Sequence, residues 1–225
     1  MPFPLASSSQ ITEAILAAVT SRTRLAMIDH VTSPTGLVFP IEDITRELER
    51  RGIAVLVDGA HAVGMVPVDL GRVGASYYTS NLHKWLCAPK GCAILWARED
   101  RRADLHPTVI SHGLGKGLFA EFDWTGTDDP SPWLVVPEAI AALEALDEGG
   151  LPGLMAKNRA LALEAQGWLS EALGIERPAP RDADTSARSR RRRAKGRRAS
   201  RSATSSDRSG RRPPGPPEPT APRRA

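Results

Sequence analysis

Lys84 stands in the segment HKW, with Asn81 and His83 on one side and Trp85 on the other, shortly after a stretch that reads as a buried strand. A lysine on an apolar, partly desolvated loop has its ammonium form disfavoured, which suits it to act as a Schiff-base nucleophile. On its own its commoner reading is a surface lysine that snorkels past Trp85. Asp58 ends another apolar stretch, IAVLV, where it could cap a following helix, and His61 lies one turn beyond it. A carboxylate, an imidazole and an amine at neighbouring strand ends, with 26 positions from Asp58 to Lys84, suit a cofactor that carries an aldehyde, a ring nitrogen kept protonated by an anion, and a phenolate oxygen that takes a hydrogen bond. Pyridoxal phosphate has those three needs.

The segments around these residues alternate helical and strand-like patterns. Gln10–Thr20 is Ala-rich with Ile11, Ile15, Ala18 and Val19 on one face, and Ile41–Arg51 places Ile41, Ile44 and Leu48 at spacings of three and four, ending at Gly52. Arg24–Asp29, Ile53–Val57, Ala75–Ser80 and Cys92–Ala97 read as strands, the first an apolar run that ends in an acid and the second apolar throughout. Pro137–Asp147 and Leu151–Leu173 read as helices separated by Gly149-Gly150. The alternation predicts an α/β fold with a mostly parallel sheet, and polar residues at the carboxyl ends of such strands are where α/β proteins hold ligands.

Residues 176–225 have another character. They contain no Val, Ile, Leu, Met, Phe, Tyr or Trp, and carry 16 basic against 5 acidic side chains, whereas residues 1–175 carry 14 basic against 21 acidic. The overall charge of +4 therefore belongs to the tail, and the part able to fold lacks the basic footprint of a nucleic-acid-binding domain. The expected organisation is a folded unit over 1–175 and a disordered Arg/Pro/Ser-rich tail over 176–225. Nucleic acid or an acidic partner could be bound through that tail only weakly and without specificity, since no aromatic residue interleaves its charges. A non-catalytic protein acting through this tail is the alternative to an enzyme.

Cys87 and Cys92, five apart, give neither a disulfide framework nor a zinc quartet, and both read as small buried hydrophobes. His30, His106 and His112 show no metal-ligand spacing, so no metal is expected. No window approaches a membrane span and no signal peptide opens the chain, which fits a cytoplasmic protein without membrane attachment.

The segments VDGAHAVGMVPVDL and YYTSNLHKWLCAPKG together resemble the class V aminotransferase family of fold-type I pyridoxal-phosphate enzymes, within it the isopenicillin N epimerase-like branch, over about Leu25 to Leu173. The resemblance implies part of a three-layer αβα large domain, and a homodimer acting on a small amino-substituted substrate. By it Lys84 carries the cofactor, Asp58 pairs with the ring nitrogen, and His61 faces the phenolate side. Thr79, Asn81 and His83 supply the phosphate cup, although family members often have a small hydroxyl residue at the position of Asn81. Thr127 in WTGTDD is similar to a segment that reaches the neighbouring subunit's phosphate, its other reading being a loop or cap threonine. Thr32 and Ser33 border the cofactor without an assigned role. The cysteine of the related desulfurases sits on a later loop with no match here, which disfavours desulfuration. The resemblance further implies strands before Leu25 and a small domain after Gly174. The expectation is a copy truncated at both ends, its tail read out of frame, with little or no turnover of its own.

Overall fold

The computed structural model describes residues 7–124, 126–177 and 179. The tail expected over 176–225 lies, apart from positions 176, 177 and 179, outside the described residues. The elements follow in the order α1 (Ser9–Ala17), β1 (Leu25–Asp29), α2 (Ile41–Arg50), β2 (Ala54–Asp58), α3 (Leu70–Val73), β3 (Tyr77–Asn81), β4 (Ala93–Ala97), α4 (Leu118–Phe122), α5 (Ser131–Leu134), α6 (Val136–Glu144) and α7 (Gly150–Ala172). The mostly parallel α/β sheet is present: β1, β2 and β3 are parallel neighbours, and β4 pairs antiparallel with β3 to close the order β1-β2-β3-β4. A parallel return needs a long crossover, whereas residues 82–92 join β3 to β4 without a helix, so β4 must run back along β3. That connection carries Lys84.

Side chains alternate across the sheet. Val55, Val57 and Tyr78 point to one face, where they pack with Ile11 of α1 and with Ile41, Ile44 and Leu48 of α2. These α2 residues fall at spacings of three and four, so one helical stripe is buried and Glu42, Asp43, Arg46 and Arg50 stay outside. Farther along that face Leu82, Leu86 and Cys92 pack against Ala139 and Ile140 of α6. On the opposite face Leu25, Met27 and Leu95 are exposed. Helices and sheet make two of the three layers implied by the family resemblance, and no second helical layer lies among the described residues.

Glu49, on the last turn of α2, ties the entry ends of the strands together. Its Oε1 accepts the Val55 N–H at 3.2 Å, the Ser76 N–H at 3.0 Å and the Ser76 hydroxyl at 2.6 Å, and its Oε2 accepts from Arg98 at 3.1 Å. Arg98 in turn donates to Asp100 and to the Gly74 carbonyl. The Asp100 hydrogen bond and then Glu49 hold the Arg98 guanidinium further in its charged form, outweighing burial. This network also explains why β3 begins two residues later than the sequence pattern implies: Ser76 spends its backbone N–H on Glu49. The short helices α3, α4 and α5 carry four or five residues each, too few for a 3.6-residue period to show.

Two glycines let the backbone close around the sheet's other end. Gly59 follows β2 and lies so near the Tyr78 hydroxyl that a Cβ would overlap it. Gly64 has φ +84, and a Cβ there would sit 2.6 Å from the Trp85 carbonyl carbon. The turn at 59–64 thus rests directly on the backbone of the Lys84 loop.

Glu49→Ala would strand two backbone N–H groups and a buried hydroxyl and take one of its acceptors from Arg98, so we expect a loss of about 2–4 kcal/mol in urea unfolding. A change within about 0.5 kcal/mol, usual for a surface position, would contradict the network. Gly64→Ala should cost more than about 1 kcal/mol and more than Gly52→Ala, because Gly52, at φ +74, has open space where its Cβ would stand. Equal thermal midpoints for the two variants would refute the close approach at Gly64.

Candidate active site

At the carboxyl ends of the parallel strands, β2 delivers Asp58 and β3 delivers Thr79 beside it in register. Asp58 Oδ1 accepts the Ala60 N–H at 2.9 Å, and Ala62 N–H returns to the Gly59 carbonyl at 2.8 Å. Asp58 therefore starts a tight turn and caps no helix. The turn carries His61, 8% exposed, toward the loop after β3. There His61 Nε2 lies 3.2 Å from Lys84 Nζ, and His61 Nδ1 accepts from Trp85 Nε1 at 3.2 Å. Lys84 is half-buried with its amine on the imidazole, so it does not snorkel to solvent.

Asp29 and Asp58 end neighbouring parallel strands in register, on the same face. Burial first, and then the Asp58 charge, raise the Asp29 carboxyl above the ordinary carboxylate range. On the opposite face His30 Nδ1 and the Tyr78 hydroxyl lie 2.9 Å apart, both groups buried, while the His30 N–H donates to the Asp58 carbonyl at 2.8 Å. Burial and the Asp58 charge also push the Tyr78 phenol upward. The floor of the turn is thereby fixed from both faces.

The remaining sequence-assigned residues divide. The Thr79 hydroxyl donates to the Ile94 carbonyl at 3.0 Å, which commits it to the β3–β4 pair. His83 Nδ1 lies 3.2 Å from the Cys92 carbonyl, so that nitrogen carries a hydrogen and donates it. Asn81 is half-buried at the end of β3. Thr127 is exposed in the loop before α5, whose N-cap is Pro130, so the helix-cap reading fails there. The contacts described here do not join it to Lys84. The Thr32 hydroxyl accepts the Leu37 N–H at 3.0 Å and closes the loop after β1.

Sequence reasoning missed Trp85 as a hydrogen-bond donor, Asp29 as the register partner of Asp58, and the His30–Tyr78 pair. Asp29 had a signal, an acid ending an apolar run just as Asp58 does. Trp85 and Tyr78 had none, because their partners come from other strands. Cys87 is a correction: it is exposed, with φ +60, and the sulfur lies 3.8 Å from the Trp85 carbonyl, so the tight turn after Lys84 carries it outward. Cys92 is buried as expected, and no metal-binding cluster occurs among the described residues. No helix among them is long and apolar enough to cross a membrane.

Comparison with known proteins gives the fold and site a context. The family model "Aminotransferase class-V" matches residues 2–189. A putative L-cysteine desulfhydrase of Oryza sativa subsp. japonica is 40% identical over 183 residues, covering 77% of this chain and 38% of the relative. A probable chloroplastic L-cysteine desulfhydrase of Arabidopsis thaliana is 38% identical, with 80% and 40% covered, and the isopenicillin N epimerase of Amycolatopsis lactamdurans is 36% identical, with 73% and 46% covered. The chain thus spans about two fifths of the length of these curated relatives. Apo cysteine desulfurase from Thermococcus onnurineus NA1 superposes with a TM-score of 0.62 at 18% identity, over 80% of this chain and 46% of that one, which shows a common fold. With the family model matching most of its length, the chain belongs to the class-V aminotransferase family.

Proposed function

We propose that this chain carries the cofactor-holding segment of a pyridoxal-phosphate-dependent enzyme that removes the α-proton of an amino acid. Class-V aminotransferases depend on that cofactor. The observation that carries the reading is the approach of Lys84 Nζ to His61 Nε2, 3.2 Å, beside the strand end that bears Asp58. The residues fit the cofactor's chemistry. Lys84 offers an amine to the aldehyde, and Asp58 offers a carboxylate to the ring nitrogen from a backbone already anchored by Ala60. His61 is buried, within reach of the amine, and able to donate from Nε2. His83, with Nδ1 held by Cys92, and Asn81 are the proposed phosphate contacts at the end of β3. Thr79 has its hydroxyl proton engaged and can serve only as an acceptor or through its backbone. Thr127 and a second copy of the chain keep their place in the proposal as a contact across a homodimer, supported by the exposure of Thr127.

Bound there, pyridoxal phosphate supplies a protonated ring that draws electrons away from the α-carbon of an attached amino group. Lys84 Nζ would serve as the base for the α-proton, with His61 Nε2 beside it at 3.2 Å as a second proton-carrying atom. The relatives' names agree with a step at this bond, since epimerisation of an amino acid and loss of sulfide from cysteine both begin with α-proton removal. Elimination of sulfide by this route needs no cysteine nucleophile, so the lack of a match for the desulfurase thiol does not weigh against it. A cytoplasmic location is not part of the proposal, because one relative is named as chloroplastic.

Incubated with pyridoxal phosphate, the full-length chain should develop a visible absorption band that Lys84→Ala lacks. Borohydride reduction should leave the label on the peptide that contains Lys84. Labelling confined to Lys90, or equal labelling of the Lys84→Ala chain, would overturn the assignment. Asp58→Asn removes the anion and should weaken binding about tenfold or more, the scale of a hydrogen bond to a charged group. Titration of the same band measures it, and an unchanged affinity would remove Asp58 from the site.

A further inference from the structure

Trp85 is the residue whose hydrogen bond leaves the least freedom to its neighbours. An indole N–H donates and has no acceptor capacity, so with Nε1 3.2 Å from His61 Nδ1, that imidazole nitrogen must present its lone pair. A neutral imidazole carries one N–H, which then sits on Nε2. Nε2 is the atom that faces Lys84 Nζ at 3.2 Å. The Trp85 contact has one sense only: the indole donates to Nδ1, and the neutral imidazole then turns Nε2–H toward Nζ. With the hydrogen on Nδ1 instead, two N–H groups would face each other across the Trp85 contact. Burial of His61 limits replacement of the indole by water. Gly64 adds a second constraint, because its lack of a Cβ lets the His61 turn rest on the Trp85 backbone.

We propose that Trp85 is a positioning residue that fixes the tautomer of His61, so that Nε2–H is the donor His61 presents beside Lys84. The use of that donor for a cofactor held at Lys84 rests on the function proposed above. The tautomer does not, since it belongs to the chain alone.

The test uses the full-length chain, labelled with ¹⁵N-histidine and without cofactor, in long-range ¹H–¹⁵N correlation spectra, with His61 assigned by loss of its signals in His61→Gln. The expected pattern is a protonated Nε2 and an unprotonated Nδ1 at His61. Trp85→Phe keeps an aromatic ring and removes the donor, and it should merge the two nitrogen signals toward an average of both tautomers. A wild-type His61 with its hydrogen on Nδ1 would overturn the proposal, and this spectrum decides the matter alone if Trp85→Phe does not fold. A folded Trp85→Phe chain with the wild-type pattern would overturn it as well. Failure of pyridoxal phosphate to label Lys84 would sink the proposed function and leave the tautomer measurement standing, so the two readings fail separately.

Discussion

One carboxylate, that of Glu49, meets the sheet where its strands begin, and the geometry at their far ends depends on it. Its two oxygens collect the entry N–H groups of β2 and β3 and an arginine from the end of β4. A buried ion pair is poor evidence for stability in itself, because desolvation offsets much of the attraction. Its value here lies in register. The acceptor positions are fixed relative to α2, and only one alignment of β2 against β3 lets Val55 and Ser76 reach them together. That alignment sets Asp58 beside Thr79 and, through β1, beside Asp29.

The far end of the sheet is built under tension of another kind. Asp29 and Asp58 bring two carboxyl groups together on one face, and burial of Asp29 makes its charged form harder to sustain. Beneath them a tyrosine and a histidine share a hydrogen bond in the core. The turn between these layers has room for no side chain at Gly59 or Gly64. Sites that must hold groups close together commonly keep such unfavourable pieces, and the surrounding sheet supplies the stability that offsets them.

Much of this was legible in the sequence. The four strands and the longer helices follow from apolar runs and helical spacing, each within a few residues of its observed bounds. Asp58, His61 and Lys84 could be singled out because an acid ends one apolar run, an imidazole lies one turn on and a lysine follows the next strand, and that local pattern survives folding. What could not be read depends on register between distant segments. The turning of the Thr79 hydroxyl to β4, the hold of Cys92 on His83, and the meeting of Trp85 with His61 each join positions 9 to 24 residues apart. The exposure of Cys87 was hidden for a related reason. Its apolar neighbours suggest burial, but the backbone reverses there.

The alternation of faces in strands of only five residues makes the site intolerant of small changes in length. One residue inserted between Glu49 and Asp58 would rotate every later side chain of β2 to the other face. Asp58 would then enter the packing of α2, and Val57 would take its place at the open end of the sheet. A change of length in the exposed loop around Thr127 meets no such requirement. Among lineages of this chain, gaps should therefore collect in the loop before α5 and be excluded from the short span that links Glu49 to Asp58. That exclusion would arise from strand parity, quite apart from any selection on the chemistry of the residues between them.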